Sequence, residues 1–374
     1  MLVGTLITLR PFLRIADRTD ATQVYTGNQV SLIVFLYQKL GQDDGGTNQV
    51  LSTIRSQDDV PFRSAPLIFI STILTHFAGG SAGREGAAIQ LGGSIGNQLG
   101  SWFRLDEEDR HVMVMCGMSA AFSAVFGTPM AAAVFSMEVV SVGIMYYAAL
   151  VPCVISSIIA SEFAANFGIH PESFHVVDIP DLTVETGLKM VLVAVACAAI
   201  SIIFCMTLQG ISKLYTKYFK NPYIRIVAAS AIIIAITLLL RTTDYMGAGN
   251  NLIELAIEEG QTRPLDFFWK ILLTALTMRA GFRGGEIVPS FCIGATFGCL
   301  MGHLIGLSPS ICAAAGMAAL FCGVTNCPFA TLLLTIELFG ADGLPYYALV
   351  IGISYMLSGY TGLYSAQKFY DNKF

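Results

Sequence analysis

The sequence predicts an all-α polytopic membrane protein built from two related halves, and three observations predict it. Of its 374 residues, 54% are hydrophobic and 13% are charged, a balance outside that of soluble domains. Apolar runs long enough to cross or re-enter a bilayer recur at 65–79, 112–126, 144–160, 190–208, 226–240, 264–279, 311–322 and 344–357, with few charges inside them. The two halves also repeat each other at a separation near 200 residues, the mark of an internal duplication. Several runs are too short to span upright, so about sixteen or seventeen helices of uneven length, many tilted or broken, are expected.

Taken in order, the chain opens on MLVGTLITLRPFLR, which lacks the charged start, apolar core and cleavage site of a secretory signal. The segment 21–39 is unusually polar for its place. The second half opens on a long apolar stretch at 183–217, whose counterpart would begin before Met1. The first helix therefore reads as N-terminally truncated, and 1–40 is expected to be the least well-packed part. From there the repeat is regular. Thr47-Asn48 in GGTNQV matches Gly249-Asn250 in GAGNNL, Gly83 of AGREG matches Gly285 of RGGEI, and Gly92-x-x-x-Gly96 matches Gly294-x-x-x-Gly298, each 202 residues apart. Pro129-Met-Ala, with Glu138 nine residues on, recurs as Pro328-Phe-Ala with Glu337 nine residues on, now 199 apart. Four matches in one order divide the chain into a first repeat, 1–180, and a second, 181–374, interlocked rather than separable. Similarity alone does not orient one half against the other.

Net charge is −5 and no basic run interleaved with aromatics occurs, so no nucleic-acid partner is indicated. Nine cysteines lack CxxC or paired spacing and sit mostly inside apolar runs, Cys197, Cys205 and Cys312 among them. They read as small core residues, with no metal and no organic cofactor implied. The chemistry lies in glycine-rich breaks: Gly45-Gly46-Thr47-Asn48, the stretch Gly79 to Gly86, and Gly281 to Pro289. Irregular backbone at membrane depth normally lines a cavity or ion path. Each break precedes a helical run, and helix N-termini offer free N–H groups and a positive dipole end, which bind an anion without a full positive charge.

These segments resemble the CLC family of anion transporters and channels. GGSAGREGAAIQLGGSIG resembles the GREGP segment, GGEIVPSF resembles the second filter motif, and Leu363-Tyr364-Ser365-Ala366 resembles the segment bearing the central tyrosine. GMSAAFSAVFGTPMAAAVFSMEV is similar to the paired helices that come after GREGP. The resemblance implies a homodimer in a lipid bilayer, each subunit with its own anion pathway between two inverted halves. Ala87 after GREG, and GGEIVP in place of GGIFAP, resemble the fluoride/proton antiporter branch. Chloride-selective members usually place a serine where Gly46 stands, and the fluoride branch more often a bulky residue, so fluoride and chloride both stay open.

By that resemblance Glu85 is the gating and proton-coupling glutamate. Ionised, its carboxylate takes the anion's place; protonated, it swings away. A carboxylate in a dry site must pair, coordinate or protonate, and a salt bridge to Arg84 or Arg283 is the bland alternative. The anion would be bound by Gly46, Thr47, Asn48, Gly83, Arg84, Gly86, the amides of Glu286, Ile287 and Val288, and the hydroxyl of Tyr364. Thr47 and Asn48 read equally as helix N-caps, Tyr364 as an interfacial aromatic, and Glu286 as facing an aqueous vestibule. Glu138 and Glu337, at equivalent places of the repeat, suggest a shared structural role. Val139 aligns with the family's second, proton-relaying glutamate, so protons would need water, Glu138 or the anion itself. Phe291, Phe297, Phe321 and Phe329 read as core or interface, and His76 and His111 as structural.

The reading is therefore a proton-coupled halide antiporter, exporting fluoride in exchange for protons, with a passive channel of the same fold as its closest rival and a non-transporting homologue as a third. The enzyme alternative is an intramembrane serine hydrolase, because Gly79-Gly80-Ser81-Ala82-Gly83 satisfies GxSxG near His76. Against it, a nucleophile elbow needs a preceding strand. No cytosolic regulatory domain is expected after the tyrosine segment, and the compact form resembles prokaryotic members, placing the protein in an inner membrane.

Overall fold

The computed structural model describes residues 27–41, 45–55 and 60–370. Among these, fifteen α-helices form: α1 (Gly27–Leu40), α2 (Thr47–Thr53), α3 (Ser64–Phe77), α4 (Glu85–Trp102), α5 (Glu107–Phe126), α6 (Pro129–Glu138) and α7 (Leu150–Asn166) in the first half. In the second half lie α8 (Val184–Tyr218), α9 (Pro222–Leu240), α10 (Asn250–Glu258), α11 (Asp266–Ala280), α12 (Ile287–Ile305), α13 (Pro309–Thr325), α14 (Pro328–Phe339) and α15 (Leu344–Leu357). The two two-residue strands, β1 (Ser141–Val142) and β2 (Lys368–Phe369), pair in parallel. Fifteen is fewer than the sequence suggests, partly because the counterpart of α8 lies outside the described residues.

Where helices begin and end is set by the sequence. Proline opens α6, α9, α13 and α14, where its missing N–H costs nothing. Asp106 caps α5 by accepting from the Asp109 amide at 2.9 Å, and a capping box of Thr183 and Thr186 starts α8. Four helical segments, Tyr147–Asn166, Val184–Tyr218, Pro222–Leu240 and Ile287–Ile305, are long and apolar enough to cross a membrane. Their outer faces carry exposed Ile155, Ile159, Leu188, Met206, Leu238 and Leu239. The expectation of poor packing over 1–40 fails for the part described: Val30, Ile33, Val34 and Tyr37 of α1 are buried in the main core. Residues 1–26 lie outside the described residues.

Glycine sets the closest helix crossings. A Cβ on Gly92 or Gly96 would strike the carbonyl of Gly117 or Met113, joining α4 to α5. One on Gly294 would meet the Gly316 carbonyl at 2.5 Å and one on Gly298 would strike that of Cys312, joining α12 to α13 in the same way.

The repeat has a physical seam. Gly83 and Gly285 form an antiparallel bridge, exchanging backbone hydrogen bonds of 2.8 and 2.6 Å. Equivalent residues that pair antiparallel lie about a local two-fold axis, so the halves run in opposite senses through this point. The relation extends outward. Ser81 N donates to Thr277 Oγ1 at 3.2 Å, and Arg283 N donates to Thr75 Oγ1 at 3.0 Å. Glu138 accepts from the amides of Phe329 and Ala330 at 3.1 and 2.8 Å, while Glu337 accepts from those of Met130 and Ala131 at 2.9 and 2.8 Å. Each glutamate thus caps the α6 or α14 of the opposite half.

Candidate functional site

At the seam, the first turns of α4 and α12 meet nearly in contact. A Cβ on Gly285 would lie 2.6 Å from Gly86 N and 3.2 Å from Glu85 N, so neither break tolerates a side chain there. Glu85 is the first residue of α4 and is 1% exposed. Its Oε2 turns back between Gly83 and Gly285, 3.4 Å from the Cβ direction of Gly285, and has no hydrogen-bond partner among the described residues. Oε1 lies 3.8 Å from Arg84 Nε, while Arg84 Nη2 bonds Glu172 Oε1 at 3.2 Å. Arg283, the other candidate partner, instead stacks 3.7 Å over the Tyr37 ring. A buried carboxylate with one oxygen unanswered is costly unless a cation, a proton or another donor compensates it.

Two further segments close on this point. Thr47 Oγ1 donates to Gly86 O at 3.4 Å, tying the start of α2 to the first turn of α4. Asn48 Oδ1 accepts from Ala366 N at 3.0 Å, tying the tyrosine segment to α2. Arg55 Nη2 bonds the Ala366 carbonyl. Tyr364, two residues before Ala366, is buried at 8% exposure. Gly46, not Thr47 or Asn48, is the N-cap of α2, with φ 68° and ψ −149°, and a Cβ there would meet nothing within 4 Å. Its structural counterpart is Gly249, the N-cap of α10 at φ 95°, which moves the local register from 202 to 203.

Gly83, Gly86 and Gly285 therefore pack at Glu85, Thr47 is tied to Gly86, and Asn48 is tied to the segment bearing Tyr364. Gly46 caps α2, Ile287 and Val288 are buried in the first turn of α12, and Arg84 lies between Glu85 and Glu172. Glu286 accepts from Arg279 Nη2 at 2.7 Å and is mostly buried, so it does not face an open vestibule. Glu138 has both oxygens occupied as a helix cap. Val139 is buried, and its carbonyl accepts from Gln367 Nε2 at 3.1 Å. Sequence reasoning missed Glu172, Arg279 and Lys270. The last is a lysine in the middle of the apolar run 264–279, between Asp266 and Arg279, and a basic residue inside such a run was the available signal.

Of the four phenylalanines, Phe291 and Phe321 join Phe122, Phe126 and Phe135 in one buried cluster, Phe297 packs on Phe267, and Phe329 is exposed. For the hydrolase alternative, Ser81 Oγ is buried and bonds Thr274 Oγ1 at 3.0 Å, while His76 Nδ1 bonds Thr72 O.

The chain is 32% identical over 339 residues to a chloride/fluoride channel protein of Pseudomonas syringae pv. tomato, covering 89% of this chain and 75% of that one. It is 27% identical over 293 residues to the H(+)/Cl(-) exchange transporter ClcA of Vibrio cholerae, covering 74% and 62%. Among solved structures, a CLC-type fluoride/proton antiporter superposes with a TM-score of 0.89 at 32% identity, covering 98% of this chain and 92% of that one. A slow cyanobacterial Cl-/H+ antiporter superposes with 0.78 at 20% identity, covering 96% and 89%, a likeness of fold. The family model of the voltage gated chloride channel matches residues 30–359, and with its two inverted repeats of broken helices this integral membrane protein belongs to that family.

Proposed function

We propose that the protein is a fluoride/proton antiporter, exporting fluoride from the cell as protons enter, with chloride as the alternative anion. The observation that carries this is the Glu85 carboxylate, buried at the junction of the α4 and α12 N-termini with Oε2 unbonded. Ionised, it answers the amides at that junction as the anion otherwise would. Protonated, it loses that attraction and gives way. One site that holds either a carboxylate or an anion couples the two fluxes without a second gate. Gly46, Thr47, Asn48, Gly83, Arg84, Gly86, Glu286, Ile287, Val288 and Tyr364 supply the surrounding N–H and hydroxyl groups in this reading. With Glu138 committed as a cap and Val139 apolar, protons reach Glu85 through water or with the anion.

The protein acts as a homodimer in a prokaryotic inner membrane on the same reading, and it is a transporter rather than an enzyme. The passive-channel reading draws on the apolar Val139, since a channel needs no inner proton relay. Flux measurements separate the two. Proteoliposomes loaded with fluoride should show anion efflux with stoichiometric proton uptake, and Glu85→Gln should abolish the uptake. Efflux without protons in the unmutated protein would make it a channel.

A further inference from the structure

Lys270, in the middle of α11, is fully buried at 0% exposure. Its ammonium donates to two carbonyls, Tyr245 O at 3.1 Å and Gly247 O at 2.9 Å. No carboxylate lies within ion-pair distance of it among the described residues. Asp266, one turn away on the same helix, is already occupied by the Tyr245 hydroxyl at 2.6 Å, Arg263 N at 2.9 Å and Thr262 Oγ1 at 3.3 Å. A buried ammonium in a membrane protein is costly, and a negative charge nearby lowers that cost beyond what carbonyls alone supply. Two carbonyl dipoles answer two of its three protons and none of its charge.

The surroundings say where that charge sits. Gly247, which accepts from Lys270, donates its own N–H to Gly80 O at 3.0 Å, and Gly80 belongs to the break that carries Glu85. Farther along α11 from Lys270, Thr274 and Thr277 bond Ser81 of the same break. The ammonium and the thiol of Cys292, on α12, both crowd the N-cap Gly249, 3.1 and 2.9 Å from its Cβ direction. Cys292 lies on α12, the helix whose first turn meets that of Glu85. The seam's symmetry is broken here, since the position 202 residues earlier is Ile68, buried and apolar.

We propose that Lys270 is the fixed counter-charge of the anion pathway, a positioning residue whose field favours negative charge at the Glu85 junction, whether the carboxylate or the transported anion. This rests on the antiporter reading. Because the ammonium is turned to its two carbonyls, it acts through space and does not trap the anion as a direct ligand would. The other ionisable groups facing this region are Arg84 with Glu172, Arg279 with Glu286, Tyr364, and the Tyr245–Asp266 pair. From the helices packed on α11, Tyr215 bonds Leu276 O and Arg225 bonds Ala280 O. All of these stay unchanged in the test.

Lys270→Gln removes the charge and keeps an N–H donor for the carbonyls; Lys270→Arg keeps the charge. Sodium fluoride binding by calorimetry should weaken about tenfold in the glutamine variant and stay within about twofold in the arginine variant. The pH at half-maximal proton-coupled flux should rise by about one unit in the glutamine variant alone, because Glu85 loses the cation that favours its ionised form. Unchanged affinity and pH profile in Lys270→Gln overturn the proposal, as does a Lys270→Arg variant equally impaired, which would assign the lysine to hydrogen bonding. If Lys270→Gln does not fold, adding Glu85→Gln should restore folding by removing both charges, and failure to do so also overturns it. Should the unmutated protein bind fluoride yet move no protons, the antiporter reading falls, and calorimetry alone decides the lysine.

Discussion

Glu138, buried, and Glu337, partly buried, are carboxylates with both oxygens answered, whereas the buried Glu85 keeps one oxygen unanswered. Each of the first two takes a pair of backbone N–H groups at a helix start across the seam. Replacing Glu138 by glutamine puts an NH2 group against one of those donors. The loss of one charge-assisted bond and the stranding of an amide should cost about 2–3 kcal/mol, read as a lower unfolding temperature in detergent with proton coupling retained. Loss of coupling at unchanged stability would instead make Glu138 a relay. The nine-residue spacing from each proline made the equivalence of the two glutamates readable, but not that each caps the other's helix, because the partner lies about 200 residues away. Gly46 illustrates the opposite limit. Its backbone, at φ 68° and ψ −149°, lies in a region open essentially to glycine alone. A serine at this place would need a different turn, so the glycine is required by the backbone.

Among elements, the α4–α5 and α12–α13 pairs come after the two glycine-rich breaks at the seam, and their closeness is set by backbone carbonyls facing glycines. Gly298→Ala would drive a methyl into the Cys312 carbonyl and within 3.1 Å of Gly316 Cα. Close-packed helices cannot absorb that without shifting, at about 1–3 kcal/mol. Gly210, exposed in α8, has nothing within 4 Å of its Cβ direction, so Gly210→Ala should be neutral or stabilise by up to about 1 kcal/mol. Thermal unfolding of both variants checks the contrast, and equal effects would count against glycine-limited packing. The GxxxG pairs and the breaks were legible because glycine's role is local. Poor packing of 27–40 was misjudged for a related reason. Hydropathy describes a segment by itself, and α1 buries Val30, Ile33 and Tyr37 against partners that hydropathy cannot name.

For the whole molecule, we infer that a boundary near residue 180 separates repeats but not folding units. Many of the bonds joining the halves lie at the seam: the Gly83–Gly285 bridge, the threonine bonds to Ser81 and Arg283, and the exchanged glutamate caps. Either half alone would expose these groups unsatisfied in a medium without water. The covalent link between them, 167–183, runs largely exposed, with Asp178 at φ 57° in a turn. A protease site inserted between Asp178 and Ile179 should therefore be cleavable without consequence. After cleavage the two pieces should elute together in mild detergent and retain fluoride efflux with proton uptake, whereas residues 181–374 expressed alone should fail to fold. Separation of the pieces after cleavage would mean that the connection, rather than the seam, holds the halves together. The anion site would then need the intact chain for its geometry, because Glu85 comes from one half and Ile287 and Val288 from the other.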